Sequence, residues 1–228
     1  MNVRLVSYSK PTLNFVNEGM SNDNVLDLIA YCARVSNPSN QMNTETSEKL
    51  IKYLIKHQHW SPLEMANACL EIETTRDIAH QIVRHRSFAF QEFSQRYADP
   101  DSMGDTFTTR EARLQDDKNR QNSIELSDES ELHYAWREKQ REVIDKARSV
   151  YEWAIQNGIA KEQARVVLPE GNTKTRLYMN GTLRSWIHYI ELRGANGTQK
   201  EHMLIAHACA EVINKIFPMT KELTHSSP

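Results

Sequence analysis

The segment from Arg84 to Tyr97, RHRSFAFQEFSQRY, sets Arg84, His85, Arg86 and Arg96 around one acid, Glu92, and interleaves four aromatics. Guanidinium groups offer planar forks of donors that match phosphate oxygens and stay charged when partly desolvated. Aromatic or guanidinium planes can face a ring. A phosphorylated, planar ligand is therefore the chemistry such a set would take. The plainer reading is a solvated helix end whose arginines cap carbonyls, with Phe88, Phe90 and Phe93 buried, and the tripeptide RHR alone does not separate the two.

Other chemistries find less support. His57 and His59 make an HxH pair with His80 and His85 nearby, but no HExxH or Cys/His pair accompanies them, so no metal site is expected. Ser94 lacks a GxSxG setting, and a serine without a base is a poor nucleophile. Cys69 falls in an alternating strand and Cys209 in the apolar run MLIAHACAEVI, both structural settings. None of the seven glycines forms GxGxxG or GxxxxGK[ST], so neither a Rossmann nor a P-loop cofactor site is expected.

The rest of the chain must position these residues. With 228 residues and a net charge of −2, it suits one large domain and carries no general basic excess for polyanions. Three scattered cysteines fit a reducing compartment. No apolar run has the length of a membrane span, and the N-terminus lacks a signal-peptide core, so a cytoplasmic protein without membrane contact is expected.

Apolar spacing predicts a strand over 3–8, a helix over 24–35, and a helix EKLIKYLIKHQH capped by Thr46 or Ser47. Alternation predicts a strand over 66–72. TTRDIAHQIVRH reads as a helix with Ile78, Ile82 and Val83 inward, and with Gln81 and Arg84 sharing another face. Beyond it, Glu92, Ser94 and Arg96 are spaced by two and would project from one side of an extended segment. Residues 99–126 are turn-rich, with a short strand in DTFTTREARL. A long helix is expected from Ser127, with Asp128 and Glu129, to about Asn157, with Gly158 as its C-cap. Trp136, Val143 and Val150 recur every seven residues along it with Ala147 and Ala154 between, a narrow seam for another helix or for the chain's own core. A short helix KEQARVVLP, a strand TKTRLYMN and two helices (182–193 and 199–216) complete a single α+β domain over 1–228: a mainly antiparallel central sheet, flanking helices and the 99–157 loop-plus-helix.

Arg84-His85-Arg86, seven residues and Ser94, with Glu92 two before that serine and Arg96 two after it, resembles the signature of the flavin-dependent thymidylate synthases. Three further blocks stand in the right order, one upstream and two downstream. His59-Trp60-Ser61-Pro62-Leu63-Glu64 is similar to the family's His-x-Ser/Thr-Pro-x-Glu segment, and Arg165 to Pro169 to its Arg-x-x-Leu-Pro block. Leu183-Arg184-Ser185 with Glu191-Leu192-Arg193 resembles its last conserved helix. The likeness spans about 25–217. Departures are Ala89, Gln91, Gln58 and Met65, where the family often has a polar residue, asparagine, glycine and histidine.

The resemblance implies reductive methylation of dUMP to dTMP through bound FAD, with methylenetetrahydrofolate as carbon donor and NADPH as reductant, and no cysteine nucleophile. It also implies a homotetramer with sites shared between subunits. By the same resemblance Gln81, Arg84, Glu92, Ser94, Gln95, Arg96, Arg165 and Arg193 would hold dUMP. Ser61, Arg84, His85, Arg86, Glu92, Thr182, Arg184 and His188 would hold FAD, and His59 would line the space between them. Arg193 is the leading catalytic residue, favouring loss of the uracil N3 proton, with Ser94 hydrogen bonding rather than attacking. Thr182 as a plain helix cap and His188 as a packed helix residue are the simpler readings of those two. A non-enzymatic nucleotide or RNA binder using the Arg/Phe cluster is the alternative, and the near-neutral charge counts against it. A helical assembly protein using the seam is a third.

Overall fold

The computed structural model describes residues 2–127 and 130–218. β1 (Asn2–Tyr8) leads to α1 (Leu13–Asn17), α2 (Val25–Ala33) and α3 (Ser47–Lys56). β2 (Asn67–Thr75) runs straight into α4 (Arg76–Ile82), and β3 (Ala89–Glu92) follows. A small hairpin, β4 (Arg113–Gln115) with β5 (Ser123–Glu125), precedes the long α5 (Glu131–Gln156) and short α6 (Lys161–Ala164). β6 (Lys174–Thr182), α7 (Leu183–Gly194) and α8 (Lys200–Ile213) close the described fold.

The main sheet has the order β1-β2-β6-β3, every pair antiparallel, so the expected α+β class with an antiparallel sheet is what forms. β2 and β6 pair along their whole length, from Asn67 opposite Thr182 to Thr75 opposite Lys174. Ala68, Leu70, Ile72, Leu177 and Met179 are fully buried beneath α7 and α8, as alternation requires of a half-covered sheet. Trp186 of α7 is fully buried in this core and donates its indole N–H to the Ala68 carbonyl at 3.0 Å. That bond ties α7 to the central strand.

Several expectations are corrected. α3 stops at Lys56 because Gln58 takes φ of 58°, and the Gln58 and His59 amides bond back to the Ile55 and Leu54 carbonyls. That is a left-handed helix stop. α4 is shorter than expected, since Thr74 and Thr75 belong to β2, and Val83 is exposed just beyond its end. Of DTFTTREARL, only Arg113 and Leu114 enter a named strand, while Phe107 bridges to Thr173.

α5 begins at Glu131 with Ser130 as N-cap rather than at Ser127, and Asp128 and Glu129 lie outside the described residues. Gly158, at φ 77°, follows its end as expected. The helix buries His133, Gln140, Ala147 and Ala154 together with Ile144 and Tyr151. Trp136 and Val143 stay exposed while Ala147 and Ala154 are buried, so only the alanine side of the anticipated seam faces this chain's own core. On the buried face, the Gln140 amide donates to the Arg110 carbonyl and accepts from the Arg110 N–H, both at 2.8 Å.

Candidate active site

The loop between α4 and β3 is fixed from below by Phe88. Its ring is buried, edge-on to Trp186 at 4.8 Å and to Tyr189 at 6.0 Å. Gly181 of β6 makes this seat possible, because a Cβ there would stand 2.4 Å from the Phe88 ring. The His85 amide bonds the Ile82 carbonyl and the Phe88 amide bonds the His85 carbonyl, so the chain turns sharply over the end of α4. Arg84 and Arg86 are exposed on this turn, and neither has an ion pair or hydrogen bond among the described residues. The bland expectation that they cap carbonyls is not met.

His85 points the other way. Arg193, in the last turn of α7, donates its Nε–H to His85 Nε2 at 2.8 Å. Burial, and then the guanidinium, lower the His85 pKa to about 4. The ring is therefore neutral near pH 7, with Nε2 accepting and the proton on Nδ1. Both terminal amino groups of Arg193 are without a hydrogen bond or ion pair among the described residues.

Behind this pair lies an ordered polar chain. Gln81 donates its amide to Gln199 Oε1 at 2.8 Å, and its own carbonyl meets His202 Nδ1 at 3.2 Å. Since that carbonyl can only accept, Nδ1 donates and His202 Nε2 accepts the Tyr189 hydroxyl at 3.1 Å. His202 has no solvent exposure, and burial, then Arg193 and His85, lower its pKa to about 4. Burial pushes the Tyr189 hydroxyl far above its usual range. Sequence reasoning missed His202, Tyr189 and Gln199. The signal was the spacing of Gln199 and His202, three apart on one face of α8.

A second group runs along α7 toward the 3-10 turn Ser61–Met65. Arg184 forms an ion pair with Glu64, and the His188 ring stands edge-on to Trp60 at 4.5 Å. Burial and then Arg184 lower the His188 pKa, with Glu191 opposing. Thr182 does cap α7, its hydroxyl accepting from the Ser185 amide at 3.2 Å. Ser185 reaches the Ser87 carbonyl at 3.4 Å, so α7 joins this group to the arginine loop. Ser61 and His59 are exposed, and the His59 ring lies near Tyr53 and His57.

The third group departs from the anticipated extended row. β3 ends at Glu92, and the Ser94 carbonyl accepts from the Tyr97 and Ala98 amides, both at 3.1 Å, which makes a turn. Glu92 is held by Arg76 at 3.3 Å and the Thr175 hydroxyl at 2.9 Å, not by any cation of the RHR cluster. Arg96 meets Glu162 at 3.5 Å and lies over the Tyr97 ring, and Lys161 donates to the Tyr97 carbonyl at 3.4 Å. The turn thus docks on α6, directly beside Arg165, which has no ion pair among the described residues. Gln95 is 3% exposed and its Nε2 has no partner.

Gln81, His85 and Arg193 are therefore brought together, as are Ser61, Thr182, Arg184 and His188, while Ser94, Gln95, Arg96 and Arg165 share a third location. No hydrogen bond or ion pair links this last location to Arg193 among the described residues. No group of three His, Cys, Asp or Glu residues close enough to hold a metal occurs among them either.

Fold and site together define an α+β protein with several guanidinium groups unpaired among the described residues. Residues 20–219 match the thymidylate synthase complementing protein family, and the chain belongs to that family. It is 49% identical over 218 residues to the probable flavin-dependent thymidylate synthase of Paramecium bursaria Chlorella virus 1, covering 96% of each chain. The flavin-dependent thymidylate synthase of Synechocystis gives the same identity and coverage, 49% and 96% of each. The chain is thus an enzyme of the flavin-dependent thymidylate synthase type, as the motifs implied. Among solved structures, the UMP/dUMP methylase PolB from Streptomyces cacaoi, bound with 5-Br dUMP, shares the fold. Its TM-score is 0.77 at 23% identity, over 99% of this chain and 95% of that one.

Proposed function

We propose that the protein converts dUMP to dTMP by reductive methylation, with methylenetetrahydrofolate as carbon donor, NADPH as reductant and FAD as bound cofactor. The observation that carries this reading is the Arg193–His85 bond, because it aims an otherwise unpaired guanidinium from a neutral acceptor. In the proposed mechanism Arg193 lies beside the uracil and stabilises the ring as its N3 proton is lost, since a nearby cation favours the anion. Gln81, held by Gln199 and His202, presents a fixed amide to the same ring. Arg84, Arg96 and Arg165 take the phosphate, and Ser94 and the Gln95 region hydrogen bond to the nucleotide rather than attack it.

The surface between α7 and the Ser61 turn suits a large flavin nucleotide. Trp60 and His188 offer ring faces there, Arg184 and Ser61 offer polar contacts, and the free cations Arg84 and Arg86 border it to neutralise a diphosphate. When bound, FAD supplies the electron transfer that these side chains cannot. The protein's part is orientation: holding three reactants in contact replaces encounters in solution. His59 borders the nucleotide side. Glu92, anchored by Arg76 and Thr175, forms the wall.

The family resemblance, with no bond joining Ser94, Arg96 or Arg165 to Arg193 among the described residues, is the ground for sites completed between subunits of a homotetramer. A cytoplasmic location is part of the same proposal, and no described helix is long and apolar enough to cross a membrane. Anaerobic incubation with dUMP, NADPH and methylenetetrahydrofolate, with and without FAD, tests the reading. Release of the dUMP C5 proton and formation of dTMP only with flavin is expected. Protein that binds FAD yet makes no dTMP under these conditions would sink it.

A further inference from the structure

A cavity of about 660 Å³ opens where β2 ends and β6 begins, roofed by the start of α5, the first turns of α8 and residues 103–111. Small-molecule sites typically enclose about 300–1,000 Å³. No residue assigned above to nucleotide or flavin lines it.

Its charges are unequal in a way that matters. Each acid on its wall is already matched: Glu73 by Arg176, Asp105 by Lys174, Glu111 by Lys200 and Glu201 by Arg113. Arg110 is paired with Asp77. Arg137 alone among the lining cations has no ion pair or hydrogen bond among the described residues. One turn earlier on the same face of α5, His133 lines the cavity at 3% exposure, and its Nδ1 has no hydrogen-bond partner. A buried ring nitrogen left unmatched is a costly arrangement for a chain to keep without a ligand. Leu204 and Met103 add apolar wall, while Thr108 and Thr109 add hydroxyls.

We infer that this cavity is a second ligand site, taking a small organic anion with one phosphate or carboxylate group bound by Arg137 and His133. The anionic group meets the unmatched guanidinium and imidazole, and the organic part rests on Leu204 and Met103. The inference stands apart from the thymidylate reading.

NMR on the full-length protein with 13C-labelled histidine, titrated with phenyl phosphate and with benzoate, tests it. The His133 signal is assigned by its loss in His133→Gln. A saturable shift with at least one probe is expected, at least tenfold weaker in Arg137→Ala and unchanged in Arg193→Ala. Arg137 is exposed, so its replacement leaves the fold intact. Four outcomes overturn the inference. The first two are no saturable shift with either probe and equal affinity in Arg137→Ala. The third is loss of the shift in Arg193→Ala, which places the anion at the nucleotide site. The fourth is a shift that follows protein concentration without probe, which marks a neighbouring copy as the occupant.

Discussion

Arg193 and His85, 108 residues apart, meet through one bond in which the guanidinium Nε–H donates to an imidazole nitrogen. An arginine beside a protonated histidine would be repelled; beside a neutral one it is steered. Replacing Arg193 with alanine should abolish dTMP formation while leaving the bound-flavin spectrum in place. Lysine keeps the charge but loses both the fork and the Nε donor. A charged hydrogen bond is worth about 1.5–3 kcal/mol, so Arg193→Lys should lower kcat roughly 10–100-fold. A variant that loses flavin and regains full turnover when it is resupplied would contradict this role.

The two depressed histidines give the protein an acid limit. Both His85 and His202 have pKa values lowered from 6.5 to about 4. Between those values the unfolded chain takes up protons that the folded chain refuses. Stability is therefore fully present above pH 6.5 and is lost as pH falls toward 4. For fully buried His202 the slope reaches up to about 1.4 kcal/mol per pH unit. Thermal melts across this window should show a shallower decline in His202→Gln, whose amide still bonds Tyr189 and Gln81. An identical pH dependence in variant and wild type would remove His202 as the cause.

Much of this was written locally in the chain. β2 and β6 were legible because Ala68, Leu70 and Ile72 alternate with polar residues, and α7 because Thr182 caps it. What failed was local pattern overridden by distant partners. Glu92 looked bound to the RHR cations six to eight residues away, but Arg76 and Thr175 reach it across the sheet. The Ser94–Arg96 row alternates as a strand does, yet the Ser94 carbonyl closes a turn. The three-residue spacing of Gln199 and His202 was the one local sign of His202, and its partners, Gln81 of α4 and Tyr189 of α7, come from distant segments.

Gln58 shows the same conflict in the backbone. It stands at φ 58°, a left-handed conformation that costs an L-residue roughly 1–2 kcal/mol. Glycine accepts it freely, although its greater unfolded-state entropy takes part of the gain back. Gln58→Gly should raise stability by about 1 kcal/mol, or about 2–4 °C in Tm for a chain of this size. Glycine keeps the same backbone turn and leaves the neighbouring His59 in place, so activity should hold. A lowered Tm would show that the Gln58 side chain stabilises more than its backbone costs.

Gly181 has the opposite sensitivity. A methyl group there collides with the Phe88 ring at 2.4 Å, and that ring is wedged against Trp186 and Tyr189. Overpacking of this kind costs about 1–3 kcal/mol. Because Phe88 anchors the loop bearing Arg84, His85 and Arg86, Gly181→Ala should also weaken flavin retention, read as a faster loss of yellow absorbance on dialysis. Adding Phe88→Leu to the same chain makes room for the methyl and should restore part of both. An unchanged Tm in Gly181→Ala would mean that the ring moves freely, and the anchoring role would fall.

Cysteine chemistry provides the last test. A thiol acts as nucleophile through its thiolate, which needs a nearby cation, a base or a helix N-terminus to lower its pKa. Burial instead pushes the thiols of Cys32, Cys69 and Cys209 up, most of all Cys209, which is fully buried within α8. All three are free. A chain carrying Cys32→Ser, Cys69→Ser and Cys209→Ala should therefore keep kcat within about threefold, with a lower Tm from the small void at Cys209. Alkylation of the wild type by iodoacetamide should be slow for the same reason. If Cys69→Ser alone stopped release of the C5 proton while dUMP and flavin still bound, a covalent thiol step would replace the mechanism proposed above.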